Sequence, residues 1–143
     1  MKHAMKQHDC KEELRENDLR ITPARLGVLE VLEHTDTPVD VSTVIEYLHN
    51  HNIPADETTV FRILRVYTEA GLANPVQLDE GKQRFEYAGK PKHHHFVCEK
   101  CGSISDITEC NVSSLEKTIE RTQGVKIARH LLEFFGLCRR CRS

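Results

Sequence analysis

The sequence predicts an α+β chain in two parts, a helical first half that ends in a β-hairpin and a smaller mixed second part. Three observations carry this reading. Apolar residues recur at helical spacing as far as Gly71, turn-bounded extended segments take over after it, and two Cys-x-x-Cys pairs lie within the final third. With 143 residues, 38% of them hydrophobic, the chain makes one medium domain or two small ones. No apolar run approaches the roughly 20 residues of a membrane span. The opening Met-Lys-His-Ala-Met-Lys leads into polar residues with no signal-peptide core, so a cytoplasmic protein is expected.

The elements follow in order. Cys10 to Asn17 is a short, charged lead-in helix. In "RITPARLGVLEVLEHT", Thr22 is placed to cap a helix that Pro23 begins, and Leu26, Val28, Leu29, Val31 and Leu32 form its apolar stripe. Asp40 caps a second helix with Val41, Val44, Ile45 and Leu48 inward. A third, in "PADETTVFRILRVYTEAGL", turns Val60, Ile63, Leu64 and Tyr67 inward and stops at Gly71. "LANPVQL" and "QRFEYAG" then flank the turn Asp79-Glu80-Gly81-Lys82 as a hairpin. Three compact helices and a hairpin make a winged helix-turn-helix, whose third helix is the one offered to a DNA major groove. Residues 1–88 form this part, 89–92 a Gly/Pro-punctuated hinge, and 93–143 a second part. The second part reads as strands "HHHFVCE" and "SISDIT", a helix "NVSSLEKTIERTQG" capped by Asn111, and a strand-like "VKIARHLLEFFGLC".

Charge divides unevenly between the two parts. Residues 1–88 carry 10 Lys and Arg against 16 Asp and Glu, a net −6, and residues 89–143 carry 10 against 6, a net +4. Bulk charge therefore lends no help to DNA binding by the first part, which must rely on a local basic edge and on pairing of two chains.

Cys98-Glu-Lys-Cys101 and Cys138-Arg-Arg-Cys141 are separated by 36 residues. Two thiolates at this spacing in a tight turn reach one ion, and two such pairs complete a tetrahedron, so the four cysteines predict a closed, structural zinc site. A thioredoxin-type redox pair would sit in a βαβ setting that is missing here. Cys10 and Cys110 are left over as ordinary thiols. Ahead of the first knuckle stand His93, His94 and His95. On an extended backbone His93 and His95 point one way, and His94 and Cys98 the other. That alternation argues for a second centre apart from the thiolate zinc, with Glu86 and Asp106 as carboxylate donors from neighbouring strand-like segments. A mixed N/O set suits Fe(II), Mn(II), Zn(II) or Co(II). The plain alternative is a solvated histidine run.

The order of winged helix, hinge, His-x-His before Cys-x-x-Cys and a terminal Cys-x-x-Cys resembles the ferric uptake regulator family of metal-responsive repressors. The segments "LRITPARLGVLEVL", "TTVFRILRVYTEAGL", "RFEYAG", "HHHFVCEKCGSISD" and "FFGLCRRC" carry the resemblance over nearly the whole chain. It implies a homodimer paired through its second parts, hence a small α/β dimerisation domain stapled by the four-cysteine zinc site. It also implies helix-turn-helices that read an AT-rich inverted repeat once metal is bound. Cys98, Cys101, Cys138 and Cys141 match the family's structural zinc ligands, and Glu86, His93, His95 and Asp106 its regulatory, hinge-spanning site. Thr59, Phe61 and Arg62 match the reading face of the recognition helix, and Arg20 a basic position that reaches the minor groove; Phe61 replaces the usual tyrosine. Pro38 stands where the family adds a regulatory histidine, and His34, four residues upstream, substitutes for it only if the loop folds back. His94 and His130 match an additional site, in which Lys92 and Ser113 replace a histidine and a glutamate; Glu116 is the available substitute.

The resemblance implies a repressor of metal uptake. Glu86 is a carboxylate where zinc sensors often use sulfur, and a glutamate where peroxide sensors carry aspartate, which favours iron. Zinc-uptake and peroxide-responsive regulation are the alternatives within the family. A small metal-dependent enzyme is the alternative outside it, but no motif supplies a spare general base.

Overall fold

The computed structural model describes residues 9–78, 81–90, 93–108 and 111–143. The turn residues Asp79 and Glu80, the hinge residues Pro91 and Lys92, and Cys110 lie outside them. The chain divides into two compact units, residues 1–89 and 90–143.

In the first unit, α1 (Cys10–Glu16), α2 (Pro23–His34), α3 (Val41–Asn50) and α4 (Glu57–Glu69) precede a hairpin of β1 (Ala73–Gln77) and β2 (Gln83–Tyr87). Each helix starts where a short polar side chain replaces the missing backbone acceptor. Thr22 accepts from the Arg25 N–H at 3.2 Å, Asp40 from Thr43 at 2.8 Å and Asp56 from Thr59 at 2.8 Å. The apolar stripes of the helices then meet in one core: Val28, Leu29, Val31 and Leu32 of α2, Val44 and Leu48 of α3, and Val60, Leu64 and Tyr67 of α4. Gly27 lets α2 approach α3, since a Cβ at this position would lie 2.4 Å from Leu48 Cδ2. Tyr67 is fully buried, and its hydroxyl donates to the Arg25 carbonyl at 2.6 Å, which ties α4 to the first turn of α2. The hairpin registers Ala73 with Tyr87 and Gln77 with Gln83, and Val39 extends it by exchanging backbone hydrogen bonds with Phe85 at 2.9 and 2.8 Å. Three helices and a wing pinned to the α2–α3 loop form the winged helix-turn-helix.

The second unit holds β3 (His94–Cys98), β4 (Ile104–Ile107), α5 (Val112–Gln123) and β5 (Glu133–Gly136). Its sheet runs in the order β4-β3-β5, with β3–β4 antiparallel and β3–β5 parallel. The sequence reading differs from this in two places. The strand expected over "VKIARHLLEFFGLC" shrinks to Glu133–Gly136, because only that stretch pairs with β3. Asn111 precedes α5 but makes no side-chain cap hydrogen bond, its ψ of 30° lying outside the extended geometry that aims a capping side chain at the helix. The helix ends as expected, with Gly124 in the left-handed region at φ 66°.

The two units differ sharply in burial. Among the described residues of the second, only His94, His95 and Cys98 are buried, whereas Leu115 is 57% and Leu131 84% exposed, with Ile119, Phe134, Phe135 and Leu137 also exposed. No residue of α5 is buried. Among the described residues, no helix is long and apolar enough to cross a membrane.

Candidate metal centres

The first knuckle occupies the turn that leaves β3. Gly102 donates its N–H to the Cys98 carbonyl at 2.9 Å with φ 75°, a conformation that costs glycine nothing and brings Cys101 back beside Cys98. The second knuckle follows β5, whose Gly136 is the register partner of Cys98. The parallel pair thus delivers both knuckles to one end of the sheet, and the sulfurs of Cys98, Cys101, Cys138 and Cys141 lie within 4.8 Å of one another. A tetrahedral zinc with Zn–S bonds of about 2.3 Å has S···S edges of about 3.8 Å. Cys101 Sγ and Cys138 Sγ are 3.8 Å apart.

The protein also favours thiolate there. Backbone N–H groups of Cys101 and Cys138 point at Cys98 Sγ from 3.5 and 3.4 Å and lower its pKa to about 6. Cys138 is lowered in the same way by the Cys141 N–H, while Cys141, hydrogen-bonded to Cys138 sulfur, is pushed up to about 12. Binding a divalent ion expels that proton. Four sulfur donors with two acidified thiols fit a structural zinc and leave no position open for chemistry. Cys10 offers the contrast. Burial, reinforced by a hydrogen bond to Glu33 Oε2 at 3.2 Å, raises its pKa to about 12 and leaves an inert thiol.

The histidines separate by face. Asp106, on β4, is the register partner of His95. Its Oδ1 lies 4.0 Å from His93 Nε2 and 3.9 Å from His95 Nε2, and the two rings meet edge to face with centroids 4.8 Å apart. Two imidazole nitrogens thus lie about 4 Å from one carboxylate oxygen. Such a set fits a divalent ion of intermediate hardness, and His95, 3% exposed, is largely shielded from water. His94 takes the other face, where its Nε2 lies 3.4 Å from His130 Nε2. Glu116 contacts His130 at Nδ1, on the far side of that ring, and Ser113 is exposed on α5.

Glu133 is the residue that sequence reasoning passes over. Its Oε2 accepts from the His95 backbone N–H at 2.8 Å, and its two oxygens lie 3.2 and 3.1 Å from His95 Nδ1. One signal is present, since a lone carboxylate interrupts the apolar run "LLEFFG".

The remaining sequence-assigned residues lie in the first unit. Glu86 stands on β2, buried, opposite Asn74. His34 ends α2 with its Nδ1 2.8 Å from the Glu30 carbonyl of its own helix, and Pro38 is buried in the loop that Val39 pins to β2. Thr59, Phe61 and Arg62 are exposed on α4, and Arg20 is exposed before α2, where its carbonyl accepts from Arg25 Nη1 at 3.0 Å.

Comparison with known proteins agrees with this arrangement. Residues 16–135 match the model of the ferric uptake regulator family. The chain is 30% identical over 140 residues to the peroxide operon regulator of Bacillus subtilis, covering 96% of each chain. It is 29% identical over 137 residues to the ferric uptake regulation protein of the same organism, covering 93% of this chain and 92% of that one. The ferric uptake regulator of Francisella tularensis, solved with iron, superposes with a TM-score of 0.78 at 25% identity, covering 87% of this chain and 96% of that one. With the winged helix, the four-sulfur cluster and the His/carboxylate centre in place, the chain belongs to the ferric uptake regulator family, whose members are transcriptional regulators rather than enzymes.

Proposed function

We propose that this chain is a cytoplasmic, homodimeric repressor that binds AT-rich inverted repeats when Fe(II) occupies the His93/His95/Asp106 centre, and so controls iron uptake. The observation that carries the proposal is the convergence of both imidazoles on one Asp106 oxygen, on the strand that also bears the first zinc knuckle. Glu86 is assigned as a further carboxylate donor. His34, held to its own helix, is left out of the ligand set. Two ions per chain are expected, a structural zinc and an exchangeable regulatory ion. The His94–His130 pair, two imidazoles with Glu116 on the outer ring nitrogen, is assigned no resident ion.

A second copy of the chain supplies what the second unit lacks. The uncovered α5 and the exposed Leu115, Ile119, Phe134 and Phe135 form an apolar surface that a partner copy buries. In the dimer two α4 helices face DNA. Phe61 offers apolar contact to thymine methyls, Thr59 and Arg62 polar contact to bases and phosphates, and Arg20 a cation for the minor groove. Metal promotes this state by binding the DNA-competent conformer more tightly than its alternatives.

The test is metal-dependent retardation of an AT-rich palindrome under anaerobic conditions. Fe(II) is expected to promote binding by the native dimer, and His93→Ala and His95→Ala are expected to abolish that response while leaving a folded dimer. DNA binding indifferent to every divalent metal would refute the proposal. A response to Zn(II) alone, or loss of the iron response on brief peroxide treatment, would move the chain to the zinc or peroxide branch.

A further inference from the structure

We propose that Glu133 is a positioning residue of the regulatory centre: its carboxylate holds the Nδ1 proton of His95 and thereby turns Nε2 toward the metal. The proposal rests on the regulatory reading of His93, His95 and Asp106. A carboxylate only accepts, so the Nδ1 atom that faces both Glu133 oxygens at 3.2 and 3.1 Å carries the proton. In the neutral ring Nε2 is then the lone-pair nitrogen, and Nε2 is the atom 3.9 Å from Asp106. The two ring nitrogens point in nearly opposite directions, so Glu133 does not reach an ion bound at Nε2. It orients the ligand and raises its basicity, as carboxylates behind metal-bound imidazoles do.

Backbone pairing fixes the carboxylate in place. Glu133 is the register partner of His95 in the parallel β3–β5 ladder, and its Oε2 also accepts the His95 N–H at 2.8 Å. Three residues on, the Glu99 N–H donates to the Gly136 carbonyl at 2.7 Å, and Cys138 follows directly into the zinc knuckle. Glu133 is thus held at the start of β5 by its bonds to His95, while the strand's far end is held by the four-sulfur site. The side chain has little freedom to do anything but face the ring.

The experiment uses the full-length, zinc-loaded dimer and its Glu133→Gln and Glu133→Ala variants, with Mn(II) and Co(II) as probes. Measured quantities are zinc content, melting temperature, probe affinity and stoichiometry, and the His95 tautomer by nitrogen NMR. The expected result is that the unmutated, probe-free protein carries its His95 proton on Nδ1. Glu133→Ala should bind the probe about 10- to 100-fold more weakly, with unchanged zinc and unchanged stoichiometry. Glu133→Gln, whose amide oxygen still accepts the proton, should lose less. A His95 proton on Nε2 in the unmutated protein would overturn the proposal, as would equal affinity in all three proteins. So would a change in the number of protein ligands seen in the Co(II) spectrum, which would make Glu133 a ligand. If every variant loses zinc or fails to fold, Glu133 is a structural residue and the proposal falls. His93→Ala separates the underlying reading: if it leaves probe binding intact, the regulatory assignment fails, whereas a loss with His93→Ala alone leaves that assignment standing and removes only Glu133.

Discussion

Substituting Cys138 by alanine in the full-length chain, under reducing conditions, removes one zinc ligand and tests how the second unit is held together. Its described residues bury only His94, His95 and Cys98, so burial within one copy contributes little. Seven large apolar side chains, Leu115, Ile119, Val125, Leu131, Phe134, Phe135 and Leu137, remain exposed. Full burial of one such side chain contributes about 1.5–3 kcal/mol, so covering half of each in a dimer supplies roughly 5–10 kcal/mol before association and ordering costs. Structural zinc contributes about 10–16 kcal/mol in peptides that fold around it at neutral pH. The metal term is the larger, and it exceeds the net stability of many whole domains, about 5–15 kcal/mol. The variant should therefore lose the second unit and the dimer while the first unit, with its own core, stays folded. Hydrogen exchange resolved along the chain is the assay: amides of 94–98 and 104–107 should lose protection, and those of α2, α3 and α4 should keep it. A zinc-free Cys138→Ala dimer with native protection in β3 would refute the reasoning.

Three further outcomes are expected. Leu64→Ala, at a fully buried position of α4, should destabilise the first unit by about 2–5 kcal/mol in chemical denaturation without altering zinc content. Burial works against ionisation of Asp40, yet hydrogen bonds from the Thr43 hydroxyl and N–H, with the Lys82 ammonium at 3.0 Å, outweigh it and hold the carboxyl well below its usual range. A depressed folded-state pKa gives stability that is complete above the unfolded value near 4 and lost as pH falls below it. Asp40→Ala should accordingly cost about 0.5–2 kcal/mol at pH 7 and progressively less in acid, as read from urea midpoints across pH. Arg62→Ala should weaken operator binding by about 1–3 kcal/mol if Arg62 reads a base, with discrimination relaxed at one position; uniform weakening with a shallower salt dependence would assign it to a phosphate.

The helices of the first unit are legible in the sequence because their signals are local. Thr22-Pro23, the Asp40 cap and the Val60/Ile63/Leu64/Tyr67 stripe each lie within one or two turns of the element they specify. Cysteine spacing is legible for a chemical reason, since few arrangements other than one tetrahedral ion use two such pairs. The second unit is harder to read. The β3–β5 pairing joins residues 38 apart and leaves no local period, so the sequence overstates the length of β5 and hides the neighbour of His95. Asn111 has the right side chain for a cap but the wrong backbone angle, which residue identity does not reveal.

That long-range pairing also sets the order in which the molecule becomes competent. During synthesis the winged helix is complete once β2 has emerged, whereas β3 waits for β5 and the second knuckle, 38 to 43 residues behind His95 and Cys98. A chain that stops or is clipped before Glu133 carries a whole DNA-reading unit but lacks the Nδ1 partner of His95 and half the zinc ligands. The sheet of the second unit and its four-sulfur cluster are therefore assembled only after β5 and Cys141 have emerged, well after the winged helix.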